Sequence, residues 1–119
     1  KTILANFSWG DKEKWQPIWN DFKLSIDSLT KFDPEWTQKF HTWRMDWDKD
    51  SIKLFLDDRM LNSVELSTTF NKDQEGKNPF RQPHFIILNL AVGGTQGGDS
   101  SQTEFPAYYL IDYVRVYQK

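Results

Sequence analysis

Phe40-His41-Thr42-Trp43-Arg44-Met45-Asp46-Trp47, Asp48-Lys49-Asp50 and Ser51-Ile52-Lys53-Leu54-Phe55-Leu56-Asp57 form the stretch on which the fold class turns. Two runs rich in aromatic and branched apolar residues flank three short polar residues, which predicts an antiparallel hairpin. Asp57-Asp58-Arg59 supplies a second turn, and Leu61 to Leu66 a third strand.

Toward the C-terminus, residues 71–83 hold Asn, Asp, Gly and two Pro and read as a long surface loop. His84 to Val92 is a near-continuous apolar run, the signature of a buried central strand. Gly93-Gly94-Thr95-Gln96-Gly97-Gly98-Asp99 reads as a flexible loop, and Tyr109 to Gln118 as the last strand. Toward the N-terminus, Lys1 to Trp9 reads as a strand ending at Gly10-Asp11, and residues 10–34 as mostly loop. Within that loop Phe22, Leu24 and Ile26 alternate with Lys23, Ser25 and Asp27, the period of a half-buried strand. Asp33-Pro34-Glu35 predicts a helix start, with Asp as N-cap and Pro at the first helical position, running a turn or two to about Lys39. About seven strands with polar turns predict an antiparallel sandwich or jelly roll. No alternation of strand and helix supports a doubly wound nucleotide-binding fold. The glycine loop lacks the following helix that a phosphate-binding fingerprint requires.

Composition narrows the function classes. At 119 residues the chain has room for one domain. Fifteen basic against seventeen acidic side chains give a net charge of −2, which argues against a nucleic-acid binder held by a basic face. No apolar run is long enough to span a membrane. The absence of cysteine excludes disulfides, thiolate zinc sites and a cysteine nucleophile. Aromatics make up 16% of a chain whose mean hydropathy is −0.71, so large rings sit in a polar setting. That combination suits a core plus an aromatic binding surface, for which sugar rings are natural ligands.

The residues show no acid/base pair. His41 and His84 each begin a predicted strand, and neither belongs to a recognisable triad or zinc motif. Asp46, Asp48 and Asp50 open a frame resembling a calcium loop, but Ser51 stands where the sharp turn needs Gly, and Asp57 where a bidentate Glu belongs. Glu13, Glu35, Glu65, Glu75 and Glu104 are isolated from one another, whereas glycoside hydrolysis needs two facing carboxyls. Trp9, Trp15 and Trp19, with Asn6, Ser8, Asn20 and Asp21 nearby, have the composition of a carbohydrate site, or equally of core and loop anchors.

The hairpin block Phe40–Trp47 with Asp50–Asp58 resembles the paired strands of glycoside hydrolase family 16. Gln82-Pro83-His84-Phe85-Ile86-Ile87-Leu88-Asn89-Leu90-Ala91-Val92-Gly93-Gly94 is similar to a late strand of that family. Phe105-Pro106 and Ile111-Asp112-Tyr113-Val114-Arg115-Val116-Tyr117-Gln118 are similar to its C-terminal strand. The three blocks keep the family's order, and the laminarinase-type endo-β-1,3-glucanases are the most similar members.

The resemblance implies an all-β, concanavalin A-like jelly roll with a sugar cleft. It also implies a retaining mechanism run from a Glu-x-Asp-x-x-Glu strand, in which the first Glu is nucleophile and the last is acid/base. That motif does not occur in the 119 residues. The expectation is therefore that residues 1–119 are the C-terminal half of a single catalytic domain, inactive alone, with the N-terminal half as partner and any signal peptide upstream. An extracellular or periplasmic location follows from the same resemblance. The expected glucan-binding residues are Asn6, Ser8, Trp9, Trp15, Trp19 and Asn89. Ser8 stands where many relatives have His, and Ala91 where some carry an aromatic. No cofactor is required, and Asp112 matches a carboxylate that helps to bind a structural calcium in several members. Trp36, Trp43 and Trp47 are expected as core or helix anchors. The alternatives are a non-catalytic β-glucan-binding module and a β-domain with no sugar role. A half-sandwich would also expose strand edges and associate.

Overall fold

The computed structural model describes residues 1–11, 16–72 and 76–118. It divides into two compact units, Lys1–Pro83 and His84–Lys119.

In the first unit, β1 (Thr2–Leu4) pairs antiparallel with β4 (Lys23–Ser25), and β2 (Phe7–Gly10) with β3 (Pro17–Asn20). The two pairings share one register, with Ile3 opposite Leu24 and Trp9 opposite Ile18, so the four strands form one long ribbon. The sequence reading of residues 10–34 as mostly loop missed β3. Its polar residues pair because the opposing β2 fixes their register, and Pro17 is tolerated as the first residue of the strand. Leu24 is buried as expected, but the strand stops at Ser25 and Ile26 opens α1 (Ile26–Thr30).

The ribbon is interrupted at Ala5 and Asn6. Ala5 N still donates to the Phe22 carbonyl at 3.0 Å, but Phe22 N turns to Asn6 Oδ1 at 3.0 Å. The Ala5 carbonyl is left for a partner outside the ribbon, which proves to be Asn62.

The three-stranded sheet consists of β5 (Trp43–Trp47), β6 (Ser51–Leu56) and β7 (Arg59–Glu65) in that order, all antiparallel. The predicted hairpin turns hold. Asp48 Oδ1 accepts from the amides of both Asp50 and Ser51 at 2.8 Å, which closes the β5–β6 turn. Asp57 takes φ 52° in the β6–β7 turn, a left-handed conformation that Asp tolerates better than most residues. The register shifts by one residue between Leu54 and Phe55, where Leu54 faces Asn62 and Phe55 faces Met60. Leu61 is the extra residue of this bulge. The shift lets Leu61 and Val64, three apart, both be buried.

Two apolar clusters join ribbon and sheet. One contains Ala5, Leu24, Leu56 and Leu61, with Ile3, Phe22, Leu29 and Trp36 packed against it. The other contains Phe7, Ile52, Val64 and Leu66, with Trp9 and Phe80 at its margin. Beyond β7 the chain is held by buried polar groups: Asn78 Nδ2 donates to the Leu66 carbonyl, and Asn78 Oδ1 accepts from Thr69 Oγ1 at 3.2 Å and Phe80 N at 3.0 Å. This satisfaction is what allows Thr69 and Asn78 to be buried.

Several expectations need correction. The helix predicted from Asp33 is one 3₁₀ turn at Trp36–Gln38, although Asp33 does act locally, with Oδ1 accepting from Glu35 N at 3.2 Å. Trp43 and Trp47 are not core anchors but exposed, on the edge strand β5 of the sheet. In the second unit, His84 to Val92 is in no sheet, and Phe85, Ile86, Ile87, Leu88 and Leu90 are exposed. Tyr109 to Gln118 is likewise in no sheet and exposed. An apolar run gives a segment its capacity for burial, but a strand forms only where a neighbour takes its ladder hydrogen bonds. The glycine loop closes as a single turn, α2 (Gly94–Gly97), flanked by Gly93 at φ 75° and Gly98 at φ 70°.

Candidate functional site

Strand alternation sorts the predicted sugar-binding residues of the ribbon. Ser8 pairs directly with Trp19, and Trp9 with Ile18, so the two pairs project from opposite faces. Phe7 and Trp9 face the second apolar cluster. Ser8 and Trp19 therefore share the outer face, where the Trp19 ring is 56% exposed beside a hydroxyl. That is an apolar stacking surface next to a polar handle. Trp9 is on the wrong side of the ribbon to join it. Trp15 lies outside the described residues.

Asn6 and Asn20 are engaged in holding this surface. Asn6 Oδ1 accepts from Phe22 N. Asn62 Nδ2 lies 2.7 Å from the Ala5 carbonyl, 3.2 Å from the Asn20 carbonyl and 3.1 Å from Asn20 Oδ1, while Asn20 Nδ2 reaches the Ser63 carbonyl at 3.3 Å. A shared amide thus clamps both ribbon strands, at their interruption, to β7. At the far end, Gly10 N donates to Asn71 Oδ1 at 2.7 Å, and Lys72 N to the Gly10 carbonyl at 3.3 Å. The outer face is held from both ends.

Asn89 and Asp112 belong to the second unit and are exposed there. Among the described residues, no three His, Asp or Glu side chains come together as a metal site. Among the described residues, no helix is long and apolar enough to cross a membrane.

The sequence reading missed one constellation. His41 Nδ1 lies 2.9 Å from Asp57 Oδ2, and Nε2 lies 2.7 Å from the Trp36 carbonyl oxygen. The imidazole stacks on the Trp36 ring, with centroids 3.9 Å apart and planes at 21°. Asp57 Oδ1 accepts from Thr42 N at 2.9 Å, and Asp57 N donates to the Thr42 carbonyl at 2.7 Å. Burial opposes the charge on His41, yet the bonds to Trp36 and Asp57 and the nearby carboxylates outweigh it and raise its pKa above the usual imidazole value. Burial likewise opposes the charge on Asp57, and the bonds from His41 and Thr42 overcome it, so its pKa is lowered. The available signal was the hairpin itself, since pairing Trp43 with Leu56 brings His41 and Thr42 to Asp57.

Residues 12–115 match the family profile of Glycosyl hydrolases family 16. A β-1,3-glucan-binding protein of Penaeus monodon is 32% identical over 109 residues, covering 79% of this chain and 30% of that protein. A β-glucanase of Rhodothermus marinus is 34% identical over 82 residues, covering 66% of this chain and 29% of that protein. A glucan endo-1,3-beta-glucosidase of Cryptopygus antarcticus is 40% identical over 92 residues, covering 71% and 34%. A solved structure described with endo-acting O-glycanases that initiate mucin breakdown in the human gut microbiota has a TM-score of 0.53 and 34% identity, covering 69% of this chain and 27% of that one. The chain thus spans about a third of the length of these three relatives.

Proposed function

The chain belongs to glycosyl hydrolases family 16, and we propose that it is the C-terminal part of the jelly-roll domain of a retaining endo-β-glucanase acting on β-1,3 or mixed β-1,3/1,4 glucan. The antiparallel all-β architecture is that expected of the family. The observation that supports a sugar-facing role is the cross-strand pair Ser8–Trp19 on the open face of the ribbon. An exposed indole stacks on a pyranose face while the hydroxyl bonds to a sugar hydroxyl. Asn89 is a further glucan-binding residue on this reading, and an extracellular or periplasmic location accompanies a polymeric substrate. A calcium ion bound through Asp112 would need further ligands from elsewhere in the parent domain.

The Glu-x-Asp-x-x-Glu motif does not occur in these residues, so the 119-residue chain binds glucan but does not cleave it. The test is twofold. Titration with β-1,3-oligosaccharides should change the tryptophan fluorescence, and laminarin should gain no reducing ends. Release of reducing sugar by the isolated chain would overturn the assignment of the catalytic pair to a segment outside it. No fluorescence change at millimolar sugar would overturn the Ser8–Trp19 surface. Similarity to a glucan-binding protein favours a second reading, a binding module without hydrolysis. The two separate on the longer protein: only the enzyme reading predicts that it cleaves laminarin.

A further inference from the structure

The surroundings of His41 specify its protonation state by hydrogen-bond logic. Both ring nitrogens face oxygens, the Trp36 carbonyl at 2.7 Å and Asp57 Oδ2 at 2.9 Å. A carbonyl oxygen can only accept, and so can an ionised carboxylate. A neutral imidazole has one N–H and one lone pair, so it would set that lone pair against one of the two oxygens. Only the imidazolium donates to both. Asp57 is favoured as a carboxylate because both of its oxygens face donors, His41 Nδ1 and the Thr42 amide. The charges facing the ring are consistent: Asp57 comes from the β6–β7 turn and Asp33 from the segment before the 3₁₀ turn, while Lys39 is tied to Asp33 at 2.6 Å. The Trp36 ring covers one face of the cation, a favourable contact for positive charge.

We propose that His41 is a proton-operated latch: as an imidazolium it fastens the Trp36–Gln38 turn to the β6–β7 turn, and on losing its proton it lets go of Trp36. The direction of release follows from bond strength. The charge-assisted bond to Asp57 is the stronger, so the neutral ring keeps its proton on Nδ1 and turns a lone pair on Nε2 toward the Trp36 carbonyl. Repulsion there frees the 3₁₀ turn, and Trp36 is a residue that packs against the first apolar cluster. The latch thus couples pH to the packing of the segment between α1 and β5.

The test is a pH titration of the imidazole ¹⁵N signals, with His84→Gln leaving His41 as the sole histidine. The expected spectrum below the midpoint has both nitrogens protonated, and that midpoint lies above that of the same chain unfolded in urea. Above the midpoint the Nδ1–H tautomer should appear, and the Trp36 indole signals should move in the same step. Asp57→Asn should lower the midpoint, since it removes the carboxylate. A midpoint at or below that of the unfolded chain, or a titration that leaves Trp36 unmoved, would each overturn the proposal.

Discussion

Asn62 Nδ2 donates to the Ala5 carbonyl at 2.7 Å, linking the bulged strand β7 to the one point where the N-terminal ribbon loses its own pairing. The same amide lies within bonding distance of the Asn20 carbonyl on the opposite ribbon strand. One polar side chain on an otherwise apolar sheet face is thereby accounted for.

Asn62→Ala should destabilise the chain by about 1–3 kcal/mol, because acceptors on both ribbon strands lose their donor inside the packed layer. Asn62→Asp should be no better, since a carboxylate meets the Ala5 carbonyl without a proton to give. Chemical denaturation measures both, and a loss in either variant indistinguishable from zero would show that the ribbon is held by its apolar contacts alone.

Trp9 and Trp19, ten residues apart on paired strands, should behave oppositely. Trp19→Ala changes stability by less than about 0.5 kcal/mol, as exposed positions do, but abolishes the fluorescence response to β-1,3-oligosaccharides. Trp9→Ala costs about 0.5–3 kcal/mol by removing a ring packed against the Phe7–Ile52–Val64–Leu66 cluster. Equal loss of sugar binding in both, at equal stability, would contradict the two-faced ribbon.

Stability should peak in mildly acidic solution. Asp57 has a lowered folded-state pKa, so its contribution is present above its unfolded value of 3.8 and disappears as pH falls through the folded value. His41 has a raised one, so its contribution is complete below 6.5 and is lost as pH rises from there through the folded value. Asp48, lowered by the amides of Asp50 and Ser51, acts on the acid side in the same direction as Asp57. Thermal melts from pH 3 to 9 should show a maximum between these limits. His41→Gln should flatten the alkaline limb, and a limb that persists unchanged would assign it to another group.

The isolated chain should associate as its concentration rises. Strand β5 is a sheet edge, and Trp43, Met45 and Trp47 are exposed along it. A sheet edge that carries exposed apolar side chains is what a second strand adds to. Met45→Lys should reduce association in sedimentation, and a wild-type chain that stays monomeric throughout would refute it.

How far the sequence could be read depended on how local the signal was. The β5–β6–β7 meander was legible because short polar turns at Asp48–Asp50 and Asp57–Asp58 fix the register of what flanks them. Strand β3 was hidden, since Pro17-Ile18-Trp19-Asn20 has no marked alternation and pairs only because β2 offers a matching edge. The bulge at Leu61 was hidden for a similar reason: one inserted residue leaves composition unchanged but reverses which neighbours face inward. The candidate site was half legible. Its residue types suit a carbohydrate site or core and loop anchors equally, and nothing local told Trp9 from Trp19.

The sequence by itself determined the all-β class and the family, and it contains no Glu-x-Asp-x-x-Glu motif, because residue type, order and turn chemistry are local properties. Tertiary structure decided which tryptophan faces outward, that Asn62 carries the ribbon, and that His41 meets acceptors on both nitrogens. Those depend on strand register and on side chains brought together from distant positions, and a shift of one residue exchanges the two faces of a strand.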